Sequence, residues 1–256
     1  MPHSTAQPAP PRPHTRPLAE LRGIPGLALL AVVALGVALT GLLADGARER
    51  GDLAAHDPTV TAWFVHARTP TLDAVAQVIT MVGSEPSVGI LTLLVVAWLV
   101  LSRRDWTSAV LFVGTMGMTA VVIKSLKHLV GRHRPPASDV LGPLDSSFAF
   151  PSGHALYTTV FFGLVAGLLL ARTRSRAGRV LVVLGWVLAS AVVGASRVYL
   201  GYHWLTDVVA SWALAMAVLA CAAAAWRVCR EHPLPSPAAF QRAAALDDRP
   251  VARAGS

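Results

Sequence analysis

Six uncharged apolar runs, separated by polar segments, set the pattern of the chain: Ile24 to Ala44, Pro86 to Ser102, Trp106 to Ile123, Ala155 to Ala171, Val180 to Ser196 and Val208 to Trp226. The first run has 21 residues. As a helix it rises about 31 Å, which matches a hydrocarbon core of about 30 Å. The runs of 17 residues are short for a crossing, but each can borrow flanking residues whose long side chains snorkel to the interface. The pattern predicts an all-α polytopic membrane protein, six transmembrane helices in one bundle over residues 23–230. A cleaved signal peptide is the competing reading of the first run, yet such segments have only about 7 to 15 apolar residues.

The polar segments carry their own signals. Residues 1–22 hold six prolines and one acid, Glu20, and read as a disordered cytoplasmic tail. Residues 231–256, rich in Pro and Ala, read as a second loosely ordered tail. Asp45 to Asp73 reads as an external loop with a short interfacial helix around Val60 to Val65. An apolar stretch starting at Ala74 is interrupted by Gly83-Ser84-Glu85-Pro86, a cluster that breaks a helix before the second crossing.

Composition agrees with the pattern. Of 256 residues 54% are apolar and 14% charged, against about 25% charged in a soluble domain. The net charge of +8 reflects arginines beside the runs; no basic face with interleaved aromatics points to nucleic acid. With the N-terminus inside, 14 cations fall in inner segments and 8 in outer ones. The positive-inside bias therefore predicts a cell-membrane protein with both termini cytoplasmic. Cys221 and Cys229 have no metal or redox spacing and read as packing residues. Trp106, Trp204 and Trp226 fall near span ends, where indoles favour the interface, whereas Trp98, Trp186 and Trp212 read as deeper packing residues. Nothing in the sequence bears on oligomeric state.

Three polar clusters fall on the outer side in this topology. Arg197, His203 and Asp207 lie between the fifth and sixth runs, where an ionisable residue needs a partner or a task. A helix starting near His203 would put His203 and Asp207 on one face, so that the carboxylate holds one imidazole nitrogen and leaves the other free to react. Lys127 and Arg134, seven residues apart, can aim at one point from even a partly helical segment. Ser152 is a natural N-cap, and free backbone N–H groups beside Gly153 form an anion site at a helix start. Three cations, a helix N-terminus, two histidines and a paired carboxylate on one face make a phosphate pocket with a nucleophile and an acid.

Read in order, the motifs are Lys127 with Arg134-Pro135, Pro151 to His154, and Ser196-Arg197 with His203 and Asp207. They closely resemble those of the type 2 phosphatidic acid phosphatase superfamily, whose membrane members remove phosphate from lipids and whose soluble relatives include vanadium haloperoxidases. The resemblance runs from about Thr59 to Trp226. His133 stands where many members have Pro, and Ala210-Ser211 where Gly often follows; neither position carries a chemical role.

By that resemblance, His203 is the nucleophile, Asp207 orients it, and His154 protonates the leaving oxygen and later assists water. Lys127, Arg134, Arg197, Ser152 and Gly153 bind the phosphate oxygens, so that fixed positive charge stands in for a metal. No carboxylate cluster suits a metal, and no cofactor is expected. Asp139 and Asp145 read as solvated loop residues, as do His128 and His133. The implied function is hydrolysis of a lipid phosphate on the outer face, with polyprenyl diphosphate as first choice of substrate. Phosphatidylglycerol phosphate, phosphatidic acid, or transfer of the phosphoryl group to another lipid remain open alternatives. Halide oxidation with vanadate fits six spans poorly, and a non-catalytic transporter or structural protein fits a complete set of reacting groups poorly.

Overall fold

A computed structural model describes residues 26–49 and 51–231; the two tails expected at the ends lie outside the described residues. Among the described residues eight α-helices follow one another: α1 Gly26–Glu49, α2 Asp57–His66, α3 Pro70–Val82, α4 Glu85–Ala97, α5 Trp106–Val130, α6 Gly153–Leu170, α7 Arg176–Tyr199 and α8 Leu205–Glu231. Six of these are long and apolar enough to cross a membrane: α1, α4 with its π-helical extension to Ser102, and α5 to α8. No strand occurs among the described residues.

Helix starts follow from local chemistry. Thr69, Ser84, Asp105, Ser152 and Ser175 each cap a helix by accepting an N–H from three residues on, at 3.3, 3.4, 3.0, 3.5 and 3.1 Å. A proline in the first turn of α2, α3 and α4 costs no hydrogen bond there. The expected break falls at Gly83 and Ser84, between α3 and α4.

Helix α6 is the central post, packed against α4, α5, α7 and α8. Its Leu156, Val160 and Phe161 meet Val88, Phe112, Met116 and Leu214 in the main core. The outward faces stay apolar: Leu30, Leu93, Leu184 and Leu188 are all exposed, as a hydrocarbon solvent allows.

The segment from Asp45 to Asp73 departs from a simple external loop. Helix α1 continues to Glu49, a 3₁₀ turn follows over Asp52–His56, and α2 packs down on the bundle. Val60 and Phe64 meet Ala155, Val198 and Val208, while Trp63 on the same helix stays 64% exposed, so the expected apolar patch is covered by protein on one side only. Trp98 also departs from expectation. It stands where α4 passes into the π turn, 43% exposed, with Arg103 and Arg172 over its ring at 5.7 and 5.3 Å.

The end of α5, the start of α6, the end of α7 and the start of α8 meet at one end of the bundle. Backbone bonds tie them: Ser152 N–H to the Asp207 carbonyl at 3.4 Å, Ala149 N–H to Arg132 at 2.8 Å and Leu141 N–H to Leu200 at 2.9 Å. Gly201 permits the closest of these approaches. Its φ is +77°, and a Cβ there would lie 2.0 Å from the Asp139 carbonyl oxygen.

Candidate active site

Lys127 lies in the last turn of α5, which Gly131 ends in a left-handed conformation with φ +64°. Arg134 therefore lies beyond the helix, and the two cations converge through a loop and not along two helical turns. Both reach Ser147, Lys127 Nζ at 3.0 Å and Arg134 Nη2 at 3.0 Å from its Oγ. Lys127 also donates to the Phe148 carbonyl, and Arg134 Nε donates to the Ser147 carbonyl at 2.7 Å.

Asp145, expected to be solvated, is 40% exposed and also accepts from Arg134 Nη2 at 2.6 Å. Although burial raises the carboxyl's pKa, the Ser147 backbone N–H and the Arg134 guanidinium outweigh it and hold Asp145 below its ordinary value. Burial lowers Arg134 in turn, with Asp145 and Asp207 opposing.

Arg197, near the end of α7, is 4% exposed, and its Nη1 donates to Thr80 Oγ1 of α3 at 2.7 Å. Its guanidinium stacks over Tyr202 at 4.1 Å, while Nε has no hydrogen-bond partner. A buried donor without an acceptor is costly, and an anion in the cage would satisfy it.

His203 precedes α8 by two residues, so it does not share a helical face with Asp207 as the spacing suggested. The pair forms nonetheless. His203 Nδ1 lies 3.4 Å from Asp207 Oδ2 without an aligned hydrogen bond, and Nε2 lies 3.4 Å from Arg134 Nη1. Burial, then Arg197, Arg134 and Lys127, hold the imidazole well below its ordinary pKa, with the Ala149 backbone opposing weakly. This biases the ring toward its neutral form, the form in which an imidazole nitrogen can act as a nucleophile.

Asp207 is fully buried in the first turn of α8 and reaches back to the Trp204 N–H at 3.0 Å, one half of a capping box. Ser152, capping α6, is also fully buried. At Gly153 a Cβ would meet only Ile123 Cγ2, at 3.9 Å, so packing does not require glycine there. The bare backbone leaves the helix start open. His154 follows on α6, half-buried and within electrostatic reach of Arg197 and His203.

All eight expected site residues therefore gather at one end of the bundle. Sequence reasoning missed Arg132 and Asp57. Arg132 donates to Asp207 at 2.5 Å, to Thr206 Oγ1 at 2.8 Å and to Asp57 at 2.7 Å. Asp57 also accepts the Thr206 N–H at 3.0 Å. Arg132 was visible inside the first motif, and Asp57-Pro58 is a helix-start signal. The indole of Trp204 closes the same corner, donating to the His133 carbonyl at 2.9 Å. His128 sits on α5, edge-on to Phe148 at 5.9 Å.

The chain matches known proteins over this region. Residues 108–230 match the PAP2 superfamily profile. Phosphatidylglycerophosphatase B of Bacillus subtilis is 28% identical over 162 residues, covering 62% of this chain and 78% of that protein. The Escherichia coli K12 protein of the same name is 38% identical over 99 residues, 38% of this chain and 36% of its own length. A crystal structure of a transmembrane PAP2-type phosphatidylglycerolphosphate phosphatase from Bacillus subtilis superposes with a TM-score of 0.66 at 25% identity, covering 78% of this chain and 98% of that one. Aquifex aeolicus LpxE shares the fold, with a TM-score of 0.51 at 18% identity over 65% of this chain and 93% of its own. With six apolar helices and three motifs gathered at one end, the chain is similar to the PAP2 superfamily of membrane phosphatases, whose profile its residues 108–230 match.

Proposed function

We propose that the chain hydrolyses a lipid phosphate monoester, with phosphatidylglycerol phosphate as the leading substrate, through a phosphohistidine on His203. One observation carries the mechanism: His203 Nε2 faces Arg134 at 3.4 Å while Nδ1 faces Asp207 at 3.4 Å. The reactive nitrogen is thus presented to the cation cage and the other nitrogen to the carboxylate.

In the first half-reaction Nε2 attacks phosphorus and the bond from phosphorus to the lipid oxygen breaks. His154 gives that oxygen its proton, and Asp207 steadies the imidazolium. Lys127, Arg134 and Arg197, with the Ser152 hydroxyl and the Gly153 N–H, hold the three other oxygens as charge builds. In the second half-reaction neutral His154 takes a proton from water, which attacks phosphorus and releases orthophosphate and His203. The fixed cations supply the charge a metal would otherwise provide.

The choice of lipid rests on the names of the relatives, two of which are phosphatidylglycerophosphatases. Polyprenyl diphosphate, first on sequence grounds, has no such support. The deciding measurement is phosphate release by the purified full chain in detergent, in the presence of a chelator. The panel holds phosphatidylglycerol phosphate, phosphatidic acid, polyprenyl diphosphate and a soluble sugar phosphate. Preference for the glycerolipid phosphate is expected. Preference for the diphosphate would replace the substrate, and preference for the soluble ester would overturn the lipid reading.

A further inference from the structure

Arg132 is a cation beside the carboxylate partner of the proposed nucleophile, and its bonds are turned toward protein groups. Nη1 is taken by Asp207 and Thr206, and Nη2 by Asp57. Its plane also lies over the Trp204 ring, 5.6 Å from the centroid. Asp57 in turn accepts both the backbone N–H and the hydroxyl of Thr206, at 3.0 and 2.5 Å. The exposures are 2% for Asp57 and 0% for Asp207, and the Arg132 side chain is 9% exposed. A buried guanidinium between two carboxylates is a costly arrangement that needs every partner in place.

We infer that Asp57 and Arg132 are positioning residues for the proposed nucleophile: they fix the orientation of Asp207 and the net negative charge that it presents to His203. Oδ1 of Asp207 is held by Arg132, which leaves Oδ2 for the Trp204 N–H and His203 Nδ1. Without Arg132 the carboxylate could turn about its terminal torsion, which is broad. Asp57 balances Arg132, so that Asp207 is not fully neutralised by its own clamp. Because Asp57 opens α2, the clamp also ties that helix, packed over α7 and α8, to the catalytic end of the bundle.

The charges acting on His203 come from several elements: Lys127 from α5, Arg134 from the following segment, His154 from α6, Arg197 from α7 and Asp207 from α8, with Arg132 acting through Asp207. Asp57 acts through Arg132 and Asp145 through Arg134. Changing Asp57 or Arg132 leaves the others in place, so the two variants should act on His203 with opposite sign. Arg132→Gln removes a cation beside Asp207 and makes protonation of His203 easier. Asp57→Asn leaves Arg132 less balanced and makes it harder.

The inference rests on the reading of His203 as nucleophile, and the test separates the two. Full-length protein in detergent is labelled with ¹⁵N-histidine, the His203 ring is assigned with His203→Gln, and ring protonation is followed against pH beside the acid limb of kcat/KM. Arg132→Gln should move both to higher pH by about one unit, Asp57→Asn should move both to lower pH, and Arg132→Lys should stay near wild type. In all three kcat should fall about 10- to 100-fold, the usual effect of losing an outer partner of a reacting group, with KM little changed. Shifts of the same sign, no shift in folded protein, or a loss confined to KM would overturn the inference. If Arg132→Gln does not fold, Asp57→Asn decides, since its amide oxygen can still accept the Thr206 N–H while the charge and the acceptor facing Arg132 are lost. If wild-type protein hydrolyses nothing in the panel, the functional reading fails while the ring titration still answers for the clamp.

Discussion

The two ring nitrogens of His203 have separate environments, and three consequences at residue scale follow from that. On the proposed mechanism His203→Ala removes the attacking nitrogen and should abolish turnover, whereas Asp207→Asn removes only the orienting charge and should leave a measurable residue of activity. His154→Ala should cost about 10²- to 10⁴-fold in kcat, the usual contribution of a general acid; single-turnover assays on all three purified variants check this. The pH profile follows from the direction of the shift at His203. The ring's folded pKa is depressed well below 6.5, so it stays neutral as pH falls through 6.5 and is lost as a nucleophile only at lower pH. The acid limb of kcat/KM, once corrected for the substrate's own second ionisation at about pH 6, should therefore lie clearly below pH 6.5. Gly201 makes a structural prediction. With φ at +77° and the Asp139 carbonyl oxygen 2.0 Å from any Cβ, Gly201→Ala adds about 1–2 kcal/mol for the left-handed backbone alone and must also displace the loop. The thermal midpoint in detergent should fall.

At the scale of elements, α1 depends on one seam. Most of its residues face outward, but Gly36 sits against α8 so closely that a Cβ would lie 2.6 Å from the Ala213 carbonyl oxygen and 3.0 Å from Ala217 Cβ. Small residues that bring backbones together are the usual means of helix association in lipid, and Thr40 adds bonds to the Gly36 and Ala210 carbonyls at 2.7 and 3.4 Å. Gly36→Ile should part the helices and lower the thermal midpoint, while Gly41→Ile, where a Cβ meets nothing within 4 Å, should not. The six crossings were legible because hydropathy over a long run needs no tertiary information. Element ends were less so: α5 and α7 continue through Lys127 and Arg197 because protein partners at the helix ends accept those charges. The short helix around Val60 to Val65 was legible, but its few apolar residues could not reveal that Val60 and Phe64 pack on the bundle while Trp63 stays exposed. The eight expected site residues could be placed together from spacing and span order, whereas the contact between Asp57 and Arg132 could not. The clamp joins positions 75 residues apart, and neither residue breaks the local pattern. Asp145 is exposed as read, but its pairing with Arg134 was not legible, because a carboxylate in a polar loop shows no partner until the cation facing it is known.

At the scale of the whole molecule, function depends on which side of the membrane the catalytic end faces. The end of α5, the starts of α6 and α8 and the end of α7 share one end of the bundle, together with the loop from Gly131 to Ser152, while the connections from Ser102 to Trp106 and from Leu170 to Arg176 lie at the other. Arg103, Arg104, Arg172 and Arg174 all stand in those two short connections, where the positive-inside bias acts most strongly. At the catalytic end Lys127, Arg132, Arg134 and Arg197 are tied to protein groups, so they are poor reporters of orientation and the true bias is steeper than a raw count gives. The catalytic end should accordingly lie on the outer face, with the scissile phosphate at headgroup depth. A reporter fused after Ser256 should read as cytoplasmic and one inserted beside Ser138 as external, because an even number of crossings returns the chain to the inside while the loop carrying Ser138 follows an odd number. Signals from the same side would contradict the topology. Opposite signals of reversed sense would keep the bundle but move hydrolysis to the inner leaflet, where impermeant vanadate added to intact cells would no longer inhibit it.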